Sequence, residues 1–421
     1  MRRHPKHDDT CLHEDDRLSV DEALAAILER VPVLDAEEVP VLEALGRVLA
    51  EDVRADLDVP PFDNSAMDGF AVRAEDTVGA TVDRPVRLRV TADLPAGRVP
   101  STRVGPGEAI RIMTGAPMPE GADAVIRVED AESVDGDVLI RRSVRPGNDV
   151  RYAGEDVRAG ATILTRGTFV RPAEVGMLAT LGKKWVRVYR RPRVAVLTTG
   201  DELVDIDEPV TPGKIRNTNL YSLCAQVRWA GGEPVSLGVA RDTVPDLEAK
   251  VREGMACDLL VTSAGVSVGD YDVVRVVLDR LGKVEFWRVR MKPAQPFAFG
   301  QIGGVPMFGL PGNPAASMVA FDLFVRPAIL KMAGHQRLRK PEVEAICEDD
   351  LSNRGGRRWF VRGVVRRADG EWRVRRSGPE GAALMTTMCR ANCFIVVPEH
   401  VERVRPGDRV TVRLMDWPEE A

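Results

Sequence analysis

Residues Asp258 to Asp272 read DLLVTSAGVSVGDYD, and this stretch decides the fold. A short apolar run, Leu259 to Val261, opens into a loop with Gly265 and Gly269, and an apolar-periodic segment (Val273, Val274, Val277, Leu278, Leu281) then stops at Gly282. The pattern predicts strand, glycine loop and helix. Glycines let backbone N–H groups turn inward, and a helix start adds unpaired N–H groups with partial positive charge, so an oxyanion fits there. The same geometry also serves as a plain tight βα turn. The loop lacks the lysine and hydroxyl of a Walker-type loop, and no G-x-G-x-x-G occurs in the chain, so neither a P-loop nucleotide site nor a dinucleotide fingerprint is present.

Outward from this loop, strands and helices alternate. RVAVLTT (193–199), with its loop TGDEL, precedes a helical stretch from Asn219 to Ala230; PVSLGVA (234–240) precedes another from Val244 to Gly254. VEFWRVR and VPMFGL follow as strands, and the last runs through PGNPAAS into a helix over 315–330. Such alternation predicts a mostly parallel sheet with helices on both faces, whose ligands collect beyond the carboxyl ends of the strands. Those ends carry Thr199, Asp201, Glu202, Asp242, Ser263, Ser267, Asp270, Asp272, Lys292, Pro311, Gly312 and Asn313.

On either side the pattern changes. Ser19 and Glu22 have capping-box spacing ahead of Ala23, Leu24, Ile27 and Leu28, and a second short helix is expected through Leu42, Leu45 and Val48. Between 56 and 149, Pro and Gly punctuate short alternating runs, which predicts a small β domain. Segments 18–55 and 150–188 then form one discontinuous N-terminal domain with that β domain inserted, 189–334 is the α/β domain, and 335–421 is a β domain. Its stretch RGGRRWFVRGVVRRADGEWRVRR (354–376) reads mainly as solvated arginines on strand faces, with one or two near the site able to clamp an oxyanion. Cys389 and Cys393 lack a second pair for a metal and read as buried or half-buried thiols.

The composition, 44% hydrophobic and 29% charged with a net charge of −5, fits a globular protein and suggests no bulk nucleic-acid binding. Six scattered cysteines, no apolar span of membrane length and an N-terminal stretch without a signal-peptide core give the cytoplasm as the expected location, with 1–17 as a disordered tail. No Ser-His-Asp or Cys-His arrangement is apparent. Carboxylates gathered beside phosphate-binding loops repel one another unless a cation joins them, and Mg²⁺ is the expected one. The residues alone therefore point to Mg²⁺-assisted chemistry on a phosphorylated ligand, without naming that ligand.

The motifs PPFDNSAMDGFAVR, TGDEL, GKIRNTN, SAGVSVGDYD, MKPAQPFAFG and LPGNPAAS, in this order, resemble the molybdopterin molybdenumtransferase family, which includes the E domain of gephyrin and its plant counterpart. The resemblance runs from about Leu18 through nearly the whole chain. It implies an elongated four-domain subunit, a homodimer, a molybdopterin adenylyltransferase as upstream partner, and a cleft between one subunit's α/β domain and part of the other. The implied reaction inserts molybdate into adenylylated molybdopterin, with Mg²⁺-dependent cleavage of the adenylate and release of AMP.

Carried over by motif, the resemblance gives catalytic roles to Asp63, Thr114, Asp156, Glu202, Asp242 and Asp272, with Glu202, Asp242 and Asp272 as metal ligands. It gives binding roles to Thr199, Gly200, Ser263, Gly265, Ser267, Gly269, Asp270, Pro311, Gly312, Asn313 and Pro314. Lys292, Pro293 and Arg357 fall on the molybdate side. Two positions depart from the family pattern: Ala264 stands where a glycine is usual, and Ala382 where a serine is usual. Loss of that hydroxyl leaves a tungstate preference or a non-catalytic molybdopterin-binding scaffold as alternatives, with Thr386 and Thr387 the nearest hydroxyls in sequence.

Overall fold

The computed structural model describes residues 17–264, 277 and 280–415. Two compact units result, one of residues 1–38, 46–50 and 187–421, the other of 39–45 and 51–186. The glycine loop Gly265–Asp272, with Ser267, Gly269 and Asp270, lies outside the described residues.

The first unit is built on a six-stranded sheet. In spatial order its strands are Glu233–Ala240, Arg193–Thr199, Leu259–Ser263, Val305–Leu310, Pro296–Ile302 and Gly282–Arg288. The first four run parallel, with Val194 opposite Leu259 and Leu260 opposite Met307; the last two are antiparallel additions. Period-two alternation explains why both faces are buried. Val194, Val196, Leu259 and Val261 join Leu220, Leu223 and Val227 of helix Thr218–Trp229, whereas Ala195, Leu197 and Leu260 face Leu247 and Val251 of helix Val244–Gly254. Each such leucine or valine stabilises the fold by ~1.5–3 kcal/mol relative to leaving it exposed.

Helix Val20–Arg30 packs Ala23, Leu24 and Ile27 onto the first of these faces. Ser19 and Glu22 form the capping box that their spacing predicts. The helix expected over 315–330 is interrupted: α-helix Pro314–Ala320 passes through a π-turn at Phe321–Val325 into α-helix Arg326–Met332. Pro327 has no N–H to continue an α ladder, and the wider turn lets Arg326 N–H reach the Phe321 carbonyl instead.

Five strands then close a barrel: Glu342–Cys347, Arg358–Ala368, Glu371–Arg376, Cys393–Val397 and Arg409–Leu414. Val365, Val374, Ile395 and Val412 fill its core. A sixth, two-residue strand, Met291–Lys292, lies parallel to Arg358–Trp359 at the barrel's edge. The chain thus leaves the α/β sheet after Arg288, touches the barrel, and returns at Pro296. Cys393 is buried here, whereas Cys389 is exposed, against the expectation for it, because it falls on the outer side of the short helix Met385–Arg390.

The second unit carries another six-stranded sheet, in the order Ala124–Arg127, Gly69–Val72, Glu108–Ile112, Val86–Leu94, Asp137–Ile140 and Ala131–Val134. Gly69 is required there, since a Cβ would come within 1.8 Å of the Ile126 carbonyl oxygen. Val53–Arg54 pairs with Thr162–Leu164, and Asn64–Ser65 with Val150–Arg151. The helix expected through Leu42, Leu45 and Val48 is only a 3₁₀ turn, Val41–Ala44, with Leu42 and Leu45 exposed. Pro40 precedes it and Gly46, at φ +74°, follows, so there is no room for a second turn.

Candidate active site

Two cavities open in the first unit, and Asn313 lines both. The first, of about 540 Å³, lies over the carboxyl ends of the parallel strands and is lined by Thr199, Glu202, Asn217, Asn219, Ser263, Ala264, Gly312 and Pro314 among others. The second, of about 470 Å³, lies where strand Met291–Lys292 meets the barrel and is lined by Lys292, Pro293, Gln295, Pro311, Arg357, Trp359, Arg362, Glu380 and Ala382 among others.

In the first cavity the floor is a polar lattice. Asn217 caps its helix by accepting from Leu220 N–H and donates to Thr198 Oγ1 at 2.8 Å. Asn219 donates to Ser263 Oγ and to the Gly312 carbonyl, each at 2.7 Å, while its Oδ1 is buried without a partner. Ser263 in turn donates to the Pro311 carbonyl at 3.2 Å, so its hydroxyl serves the fold. Glu202 is an exposed wall residue. Gly200 makes room for it: at φ +142°, its added Cβ would strike the Glu202 carboxylate.

Asp242 lines neither cavity but is paired with Asp201: the Asp201 N–H donates to Asp242 at 3.3 Å and the Asp242 N–H to Asp201 at 3.4 Å. Each carboxylate is thus held by the other residue's backbone N–H. No group of three or more metal-ligating side chains occurs among the described residues, and Asp272 lies outside them. The ligand set Glu202, Asp242 and Asp272 is therefore not assembled among the described residues; the pair Asp201–Asp242 is, and Asp201 is one of the strand-end carboxylates, though not of the ligand set that the motifs imply.

The second cavity is cationic. Lys292 Nζ sits 4.1 Å from the Trp359 ring centroid and 3.0 Å from a Glu380 carboxylate oxygen. Arg357 donates to Gln295 Oε1 at 2.5 Å. Arg362 was read with the solvated arginines, yet its Nη1 is buried without a partner, and burial pushes its guanidinium down while the Glu380 charge works the other way. Trp359, Arg362 and Glu380 are the residues that sequence reading did not single out. Neither threonine replaces the hydroxyl missing at Ala382: Thr387 is buried and donates to the Leu384 carbonyl at 2.7 Å, and Thr386 lines neither cavity.

Backbone strain marks the same places. Among the described residues, the non-glycine positions with positive φ are Asp135, Asp149 and Asp369, together with Ala264 at +79° and Ala294 at +68°. Asp is a common left-handed residue; alanine is not. Each alanine lines one cavity.

Asp63, Thr114 and Asp156 lie in the second unit. Asp63 accepts from Ala153 N–H at 2.7 Å, and Asp156 N–H donates to the Val59 carbonyl, which joins their two segments. Thr114 donates both its N–H, at 2.7 Å, and its hydroxyl, at 2.8 Å, to Asp68, and these bonds hold the Asp68 carboxyl below its ordinary value.

Comparison with known proteins accounts for most of the chain. Residues 18–182 match the family model described as MoeA N-terminal region (domain I and II), 195–331 the one described as Probable molybdopterin binding domain, and 344–415 the MoeA C-terminal region (domain IV). Molybdopterin molybdenumtransferase 2 of Mycobacterium tuberculosis is 39% identical over 94% of this chain and 98% of its own. The molybdopterin molybdenumtransferase of Bacillus subtilis is 36% identical over 95% and 96%. The crystal structure of the molybdopterin biosynthesis moeA protein of Pyrococcus horikoshii superposes with a TM-score of 0.82 at 33% identity, over 95% of this chain and all of that one.

Proposed function

The chain belongs to the molybdopterin molybdenumtransferase family, enzymes of molybdenum cofactor biosynthesis, and from that premise we propose how its two cavities divide the reaction. Adenylylated molybdopterin occupies the cavity over the parallel strands, and molybdate occupies the cationic cavity beside Lys292. The observation that carries this reading is that the two cavities, one polar with an acidic wall and one cationic, adjoin at Asn313.

Lys292 and Arg357 supply charge and N–H donors to a tetrahedral oxyanion, and a planar guanidinium can offer it two parallel hydrogen bonds. Ala382 leaves a methyl group where the family pattern implies a hydroxyl, so the cavity relies on its cations. Glu202 and the pair Asp201–Asp242 supply hard oxygen donors of the kind Mg²⁺ prefers, with Asp272 the further ligand that the motif implies. When bound, the ion would neutralise developing phosphate charge during adenylate cleavage and AMP release. Asn219 braces the cavity floor by holding the Ser263 hydroxyl and the Gly312 carbonyl. Thr199, Gly312, Asn313 and Pro314 shape the walls and Gly200 leaves room for Glu202, while the motif alone assigns the loop 265–270 to the phosphate.

Asp63, Thr114 and Asp156 complete a homodimeric cleft in this proposal, and a molybdopterin adenylyltransferase supplies the substrate. No described helix is long and apolar enough to cross a membrane. The test is AMP release from adenylylated molybdopterin by purified protein with Mg²⁺, with and without molybdate, coupled to reconstitution of a cofactor-free molybdoenzyme. Molybdate-dependent release with reconstitution, abolished in Glu202→Gln, is the expected result. Tight binding without release would replace the enzyme by a scaffold, and release only with tungstate would change the metal.

A further inference from the structure

Two side chains hold the Lys292 ammonium in the cationic cavity, and they differ in kind. A Glu380 carboxylate oxygen meets Nζ at 3.0 Å, and the centroid of the Trp359 ring lies 4.1 Å from it. A carboxylate holds a cation by cancelling its charge. An aromatic face holds it through the ring quadrupole and leaves the net charge in place. Three N–H groups radiate from a lysine nitrogen, and a ring face, unlike a second carboxylate, leaves those not bound to Glu380 without a strong acceptor.

Strand register puts the ring there. Met291–Lys292 runs parallel to Arg358–Trp359 with Lys292 opposite Trp359, so the two side chains leave the same face of that ladder as neighbours. The pairing is extended by Arg358 N–H, which donates to the Arg290 carbonyl at 3.2 Å. On its other side Trp359 pairs with Val397, and it packs with Val361, Ile395 and Val397 in the barrel core with 3% of its surface exposed. Packing thus fixes the ring, whereas the lysine, with 39% of its side chain exposed, stands on a flexible four-carbon stem. Ordering such a stem before an anion arrives removes that entropy loss from the binding step.

We propose that Trp359 is a positioning residue for the oxyanion: its ring face orders Lys292 Nζ inside the cavity with the charge undiminished. Trp359 acts through the lysine and needs no contact with the anion. The proposal deepens the reading that molybdate binds beside Lys292 and rests on it.

Calorimetric titration of the full-length protein with molybdate tests it, in variants that keep the ring's shape and weaken its quadrupole. Site-directed incorporation of tryptophans of increasing ring fluorination at position 359 should lower molybdate affinity step by step, to about fivefold below wild type for the most fluorinated ring. Trp359→Phe should lose less than Trp359→Leu, because phenylalanine retains part of the aromatic face and leucine has none. In a Lys292→Met background the fluorinated series should be flat, since the cation it acts through is gone. A tryptophan that only fills the barrel core would lower the urea midpoint in Trp359→Leu while ring fluorination left affinity unchanged. A flat series in the otherwise wild-type protein, or the same stepwise loss without the lysine, overturns the proposal. Lys292→Met binding molybdate as tightly as wild type would remove the reading of this cavity as the molybdate site, and the proposal with it; weaker binding by Lys292→Met beside a flat fluorinated series would sink the proposal alone.

Discussion

Asn219 Nδ2 donates to Ser263 Oγ at 2.7 Å, and this bond ties the first turn of a helix to the end of the central strand. The same amide holds the Gly312 carbonyl, so one side chain fixes two of the turns that wall the first cavity. Asn219→Ala strands those buried partners and should cost ~1–3 kcal/mol. Asn219→Asp should cost more, because it sets a carboxylate oxygen against the carbonyl. Urea midpoints of the two variants check this; an Asp variant as stable as wild type would count against the assigned amide orientation.

Ala264 predicts a change of opposite sign. At φ +79° it occupies a conformation that costs an L-residue ~1–2 kcal/mol and glycine almost nothing. Glycine is more flexible when unfolded, which takes back part of that gain. Ala264→Gly should therefore be neutral to stabilising by up to ~1 kcal/mol. A clear loss of stability would mean that its Cβ, 3.3 Å from the position of an added Cβ on Gly312, contributes packing that outweighs the strain.

Glu174 should make part of the stability pH-dependent. Its carboxylate accepts from Arg171 N–H at 2.9 Å and from the Arg171 guanidinium at 2.6 Å, which pulls it from 4.5 to about 2. A group whose folded value is depressed adds stability that is complete above the unfolded value and disappears as pH falls towards the folded one. Glu174→Gln should thus lose ~1 kcal/mol at neutral pH, the worth of a capping contact. Its deficit should fade between about 4.5 and about 2 in a pH series of unfolding curves. A deficit constant across that range would place its origin in shape and not in charge.

The thiols should differ sharply in reactivity. Burial pushes Cys393 up to about 12, and it also raises Cys257 and Cys347, while Cys389 is exposed. The thiolate is the reacting form. Brief alkylation of the native protein at mildly alkaline pH, followed by peptide mass spectrometry, should label Cys389 and spare Cys393. Equal labelling would mean that the barrel opens on that timescale.

Much of the scaffold could be read before any coordinates. Runs such as Val194–Leu197 are buried on both faces, and they show it by being apolar without alternation; Ser19 and Glu22 announce a helix start because capping is local chemistry. Leu42 and Leu45 misled because one 3₁₀ turn and the start of an α-helix share their spacing. Arg362 was hidden among arginines that look alike in sequence, and only the barrel's closure decides which one turns into a cavity. The loop of Gly265 and Gly269, the first clue, stays outside the described residues, so its role rests on the motif.

The short strand Met291–Lys292 has a consequence for how this fold can be divided. Its hydrogen-bonding partner is Arg358–Trp359, 67 residues further along the chain, and Trp359 also carries the lysine's ring contact. A fragment cut after Met332 would retain the six-stranded sheet and its helices, yet the lysine would have neither strand partner nor aromatic seat. The sheet domain can be inherited or transplanted as a stand-alone module, but the cationic cavity travels only with the barrel attached.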